Sequence, residues 1–183
     1  MAASTARIVP GRFEFFLEPA QVRDAFAVPF IWEQRIHGVD FSTLAGTKLG
    51  HSPEHGRLMH KPSAYDHFLC EPEPLFAFDL HTTGPQDLPV TLRAERRVIR
   101  GGRLDGLCVC FRAYLDDEAV IDTSPFAQEN LSWWIPLLRV ESGPPLAPGD
   151  VIEIALEAGD LEAFETWRWS VARRRGEERQ RAA

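Results

Sequence analysis

The chain has 183 residues, 44% of them hydrophobic and 26% charged, which is the composition of one soluble domain with a sizeable core. Disorder and fibrous repeats are excluded, and 14 prolines, 13 glycines, 12 phenylalanines and five tryptophans favour short strands and turns over an all-α bundle. Twenty-seven acidic against 20 basic side chains leave a formal charge of −7, which repels a phosphate backbone and argues against nucleic acid as a partner.

Met1 to Arg7 lacks a signal-peptide core, and no later stretch approaches the ~20 apolar residues of a membrane span. Arg12 to Glu18 alternates as a strand behind the Pro10-Gly11 turn. Pro19 to Phe26 is compatible with one or two helical turns, and Phe30-Ile31-Trp32 is an apolar patch ahead of a polar run to Leu44. Residues 46 to 68, rich in Gly, Ser, Pro and His, are expected to form a long loop. From Pro74 the pattern becomes regular. Strands are expected over Leu75–Thr83, Val90–Ile99, Leu104–Leu115, Ala119–Thr123, Trp133–Val140, Val151–Glu157 and Thr166–Val171, separated by turns such as Gly101-Gly102 and Pro148-Gly149. Seven or eight strands at hairpin spacing predict a mostly β fold, an antiparallel β-barrel with a helical or irregular arm inserted near residues 19–70. Residues 1–171 form that single domain, and 172–183, with five arginines against two glutamates, form a charged tail.

The chain from about Val9 to Val171 resembles the C-terminal β-barrel domain of the protein arginine methyltransferases. Val9-Pro10-Gly11-Arg12-Phe13-Glu14-Phe15-Phe16-Leu17-Glu18 is similar to the strand by which that family leaves its cofactor domain. Trp32 followed by Gly38-Val39-Asp40-Phe41-Ser42 is similar to the tryptophan and Gly-Phe-Asp-Met-Ser segment of its dimerisation arm. Pro74 to Thr83 is similar to the strand that returns from the arm. Asp122-Thr123-Ser124-Pro125, Ser132-Trp133 and Leu146-Ala147-Pro148-Gly149-Asp150 follow the family's Ser-Thr-Gly/Ser-Pro segment, its Thr-His-Trp loop and the turn after it. The resemblance implies a barrel that binds substrate and contacts a second subunit.

One departure bears on chemistry. Leu131, Ser132 and Trp133 stand where the family carries Thr-His-Trp, and a serine hydroxyl cannot replace an imidazole as an ion-pairing or proton-relaying group. No acidic-x-Gly-x-Gly-x-Gly stretch opens a helix, so the sequence offers no dock for S-adenosylmethionine and no cofactor is expected. The family's two-glutamate loop, which clamps the substrate guanidinium, precedes the barrel and is absent here. The implied role is a noncatalytic substrate-binding or assembly subunit, possible as one half of a split methyltransferase, working as a homodimer or with a separate methyltransferase-domain chain. Two alternatives remain open: an independent enzyme reusing the barrel pocket with the histidine-rich loop and Asp122 or Glu129, and a fragment of a longer methyltransferase chain.

The candidate substrate or interface face comprises Trp32, Asp122, Glu129, Asn130, Ser132, Trp133 and Trp134. Strand alternation sends one of Trp133 and Trp134 into the core and leaves the other at a rim. Trp32, on a projecting arm, is expected to anchor an interface. Trp167 and Trp169 share a strand face and are expected in the core. His51, His55, His60 and His67, with Glu54 and Asp66, match no ligand motif, so a pH-sensitive loop is expected rather than a metal site. Cys108 and Cys110 are read as small core residues of a reduced, cytoplasmic protein.

Overall fold

A computed structural model describes residues 9–45, 56–127, 132–160 and 163–174. Its strands are β1 (Arg12–Val22), β2 (Arg35–Ile36), β3 (Val39–Asp40), β4 (Arg57–His60), β5 (Tyr65–Phe68), β6 (Phe76–Asp79), β7 (Thr91–Arg97), β8 (Gly106–Tyr114), β9 (Val120–Asp122), β10 (Ile135–Arg139), β11 (Val151–Ala158) and β12 (Trp167–Arg174). Among the described residues, the helical segments with defined bounds are three-residue 3₁₀ turns, and no helix is long and apolar enough to cross a membrane. The fold is mostly β, as the alternating segments predict.

Seven strands form one antiparallel sheet in the order β4-β10-β8-β1-β5, with β6 lying along the first half of β1 and β9 along β8. A second sheet runs β12-β11-β7. Isolated bridges between Cys70 and Val98 and between Gly102 and Leu146 carry the chain from one sheet to the other, so the strands curl into an open barrel. Among the described residues, β4 and β12 are the terminal strands of the two sheets at the open seam. β12 is tied to the end of β10, the neighbour of β4, by the Trp169 indole, which donates to the Arg139 carbonyl at 2.7 Å. Gly56, at the start of β4, makes this approach possible: a Cβ there would lie 2.6 Å from the Trp169 ring.

β1 is buried on both faces. Phe15 and Leu17 face inward with Leu69, Leu107, Leu138, Ile152, Ile154 and Trp167, whereas Phe16, Ala20 and Val22 join Tyr65, Cys108, Cys110, Ile135 and Leu137 in a second core. Each large aliphatic chain taken from water here contributes about 1.5–3 kcal/mol. Nine consecutive pairs, from Arg12–Tyr114 to Ala20–Gly106, fix β1 against β8.

Four expectations change. Pro19 to Val22 continues the strand instead of opening a helix. β6 pairs with β1 only as far as Phe15 and β5 begins at Ala20; the Leu69 N–H donates to the Pro19 carbonyl in the gap between them, so the N–H that proline lacks leaves no ladder bond unmade. The described part of the expected long loop is ordered into β4, a 3₁₀ turn and β5, because Tyr65 and Phe68 cover the second core. The expected tail begins later than residue 172, since Arg173 pairs with Asp150 at 2.8 Å and Arg174 with Glu95 in β12 and its neighbours. The inserted arm is correspondingly shorter, and its tip is the β2–β3 hairpin, whose His37-Gly38 turn has φ of 50° and 82° at its two central residues.

At the middle of β1, Glu18 is wholly buried. Its Oε1 accepts the Glu73 N–H at 3.0 Å while Oε2 has no hydrogen-bond partner. Arg96, also buried, donates to the Glu73 carboxylate at 2.8 Å and to the Glu73 carbonyl at 2.9 Å. Loss of water pushes the Glu18 carboxyl from 4.5 to about 7, against the opposing pull of the Glu73 N–H and the Arg96 charge. The folded protein therefore binds more protons than the unfolded chain between pH 4.5 and 7, and stability falls as pH rises through that window. Glu18→Gln is expected to raise the unfolding free energy at pH 8 by up to about 3 kcal/mol, with the gain shrinking toward pH 4.5. Urea unfolding of both proteins across this range checks it, and a difference independent of pH would refute the assignment.

Candidate functional site

β1 and β6 each place phenylalanines at alternate positions, and the register sets Phe13 beside Phe78 and Phe15 beside Phe76. Phe13 stacks on Phe111 of β8 at 5.0 Å and lies 5.2 Å from Phe78, which lies 5.3 Å from Phe76. Trp133 meets the edge of Phe111 at 5.9 Å and 84°. These half-buried rings form an aromatic mouth at one end of the barrel, with Trp133 at its rim.

Glu14, on the other face of β1, is buried yet satisfied: Tyr114 Oη donates to one oxygen at 2.9 Å and Arg12 to the other at 2.6 Å. Burial, followed by the Glu14 carboxylate, raises the Tyr114 pKa. Beside them the Arg112 Nε donates to Asp122 Oδ2 at 2.8 Å, and its guanidinium lies 4.9 Å over Phe16. The Ser124 N–H donates to the other Asp122 oxygen at 2.8 Å. Asp122 therefore ties β9 to β8 and starts the Ser124-Pro125 turn, with both oxygens engaged.

The sequence-named residues do not all meet. Ser132, Trp133 and Trp134 are exposed and adjacent, with Lys61 Nζ donating to the Ser132 carbonyl at 3.1 Å and lying 4.9 Å over the Trp134 ring. Glu129 and Asn130 lie outside the described residues. Both tryptophans are about half exposed, 51% and 56%, so neither enters the core as strand alternation suggested. The reason is that β10 begins its pairing only at Ile135, opposite His60, and the alternation does not extend back to the pair. Trp32 sits at the far end of β10, roughly 15 Å along a five-residue strand. It is half-buried, stacked on Phe30 at 4.4 Å; the Arg139 guanidinium lies 3.7 Å over Phe30 and donates to the Val28 carbonyl at 2.6 Å. The Phe30–Trp32 patch thus docks on its own barrel instead of projecting. Trp167 is in the core as expected, while Trp169 is only partly buried at the seam.

His51, His55 and Glu54 fall outside the described residues. His60 is buried against Tyr65 and Phe26, and loss of water lowers its pKa against the charge of Asp105. His67 contacts Asp66 at 3.0 Å and the Gly101 carbonyl at 3.3 Å. Among the described residues no three His, Cys, Asp or Glu side chains are grouped to hold a metal ion. Cys70, Cys108 and Cys110 are buried and unbridged. Burial pushes the Cys70 thiol up to about 12 and that of Cys108 well above its usual value, which removes the thiolate a nucleophile needs.

Reading motifs one at a time misses the Phe13–Phe76–Phe78–Phe111 cluster, Arg112, Tyr114 and Lys61. The signal for the aromatic cluster is present in the sequence as alternate phenylalanines on two strands, but only the register shows that they face each other. Exposure predicts that Trp133→Ala costs less than about 1.5 kcal/mol of stability, whereas Trp167→Ala costs about 3–5 kcal/mol. Chemical unfolding of the two variants compares them directly.

No known family pattern matches the sequence, and no curated protein matches it either. Solved structures do. The Trypanosoma brucei PRMT1 enzyme-prozyme heterotetrameric complex with AdoHcy superposes with a TM-score of 0.63 at 16% identity, over 91% of this chain and 57% of that one. The crystal structure of PRMT6 superposes with a TM-score of 0.51 at 14% identity, over 90% of this chain and 55% of that one. The chain thus spans little more than half the length of the protein arginine methyltransferases it matches. With its curled antiparallel sheet and coverage of nine tenths of the chain, this protein has the fold of the protein arginine methyltransferase barrel domain.

Proposed function

We propose that this barrel is a noncatalytic substrate-binding or assembly subunit of an arginine-methyltransferase-like system, docking a separate S-adenosylmethionine-binding domain on its aromatic mouth. The observation that carries the proposal is the exposure of Trp133 and Trp134, with Trp133 meeting the edge of Phe111, beside an end already filled by stacked phenylalanines. Large half-exposed rings next to a packed apolar floor are typical anchors of a protein interface. β1 begins at this same end, where the Gly11 N–H donates to the Tyr114 carbonyl at 2.9 Å, and the resembling strand in the family is the one that leaves the cofactor domain. The chemistry of the rim agrees with a binding role: Ser132 stands in the place of the family's histidine, and both Asp122 oxygens are occupied. One neighbour in fold is itself an enzyme-prozyme assembly.

Calorimetric titration of the purified chain with S-adenosylmethionine is expected to give only heats of dilution. Sedimentation with a separately expressed methyltransferase domain of an arginine methyltransferase is expected to show a complex, weakened at least about tenfold when Trp133 and Trp134 are both changed to serine, or ~1.4 kcal/mol. Micromolar binding of the cofactor by the barrel alone, or indifference of assembly to the paired substitution, would overturn the proposal.

A further inference from the structure

Gly56 ahead of β4, the end of β10 and the edge strand β12 bound a cleft of about 520 Å³ at the other end of β10 from the aromatic mouth. Gly56 and Arg139 line one side and Trp167 to Val171 the other, over a floor that includes Leu146 and Ile152. The inference that follows does not rest on the proposed function, because it concerns a different face.

The backbone of β12 is set up to take another strand. The Ala158 N–H bonds to the Val90 carbonyl on the β7 side, so even-numbered residues of β11 address β7 and odd-numbered ones address β12. Glu157, Ala155 and Glu153 pair with Arg168, Ser170 and Ala172, which leaves Trp169, Val171 and Arg173 with their N–H and C=O groups turned to the open edge. No described residue bonds to those groups. The side chains alternate in the same sense, with Trp169 and Val171 packing toward the core and Arg168 and Ser170 exposed.

The charge of the cleft runs against that of the whole chain. Three arginines, Arg139, Arg168 and Arg173, and one carboxylate, Glu141, line it, although the chain carries −7. Arg173 is held by Asp150, and Arg139 lies over Phe30. Arg168 donates to the carbonyls of Trp167 and Glu165 at 2.8 and 3.1 Å, which folds its guanidinium over the open edge. Glu157 is its cross-strand neighbour but makes no ion pair with it.

We infer that this seam is a strand-addition site for an extended acidic segment of a partner protein. The segment bonds along Trp169 to Arg173, sets apolar side chains against the Trp169 side of the cleft, and brings alternate carboxylates to Arg168. An added strand supplies both halves of this match, since its side chains alternate with the same two-residue period as β12.

The test uses a fluorescein-labelled peptide of about eight residues alternating valine and glutamate, with the valine–lysine peptide as its counterpart. Anisotropy is expected to show binding of the acidic peptide and at least about tenfold weaker binding of the basic one. In the same titration, the amide resonances of Trp169, Val171 and Arg173 are expected to shift. Arg168→Glu should reverse the preference between the two peptides without changing the melting temperature. Val171→Pro removes an edge N–H that β11 does not use, and it should weaken the acidic peptide at least about tenfold. Binding of neither peptide, equal binding of both, or an unchanged preference in Arg168→Glu would overturn the inference. So would self-association of the chain that protects the Trp169–Arg173 amides, because the occupant would then be a second copy.

Discussion

The nine-pair ladder between β1 and β8 is the constraint on which the other features depend. It places β1 in the middle of the larger sheet and buries it on both faces, so one strand serves two cores. The phenylalanines at its start are held in register with those of β6 and β8, and this alignment builds the aromatic mouth. Further along, β1 exchanges one neighbour for another between Phe15 and Ala20. Glu18 lies within that interruption, bonded by the Glu73 N–H of the connecting segment. A buried carboxylate with one unsatisfied oxygen costs stability, and here it occupies the strand that can least move away from it.

The short strand β10 separates two surfaces of different chemistry. At its start, Trp133 and Trp134 stand exposed near Lys61, over rings whose packing is complete. At its end, Arg139 clamps Phe30 and Val28, while its carbonyl receives the Trp169 indole. That second contact narrows the barrel seam without pairing the β12 edge, because an indole–carbonyl bond fixes one point and leaves the main chain beyond it open. The arm segment is therefore bound to the barrel at its base, through Phe30 and Glu33, with the β2–β3 hairpin as its exposed tip. Fold and electrostatics act separately here: the surface carries excess acid, yet the cleft between the sheet edges gathers arginines.

Much of the fold was legible because a strand with one wet face writes its period into the sequence. Leu104–Leu115 contains β8, Val151–Glu157 covers β11 to within its last residue, Thr166–Val171 covers most of β12, and the Pro148-Gly149 turn separates β11 from β10 where expected. The order of the landmark segments carried the resemblance to the methyltransferase barrel at an identity of 14–16%. The candidate site was legible only in part. Ser132, Trp133 and Trp134 could be named, but their orientation could not, since alternation informs only residues that pair, and pairing starts at Ile135.

What the sequence determined by itself was the mostly β class, the succession of strands from Pro74 onward and the burial of Cys108 and Cys110, all of which are local properties of residue type and spacing. What only the tertiary structure decided was partnership. Trp32 and Trp133 are both tryptophans beside polar residues in irregular segments, yet one is stacked within its own chain and the other stands in solvent. Asp122 looked available until Arg112 and the Ser124 N–H were seen to occupy both of its oxygens. The edge of β12 reads like any other strand, and its openness follows from the number and order of its neighbours. These are contacts between residues far apart in the chain, set by register and sheet closure, which no local pattern of side chains encodes.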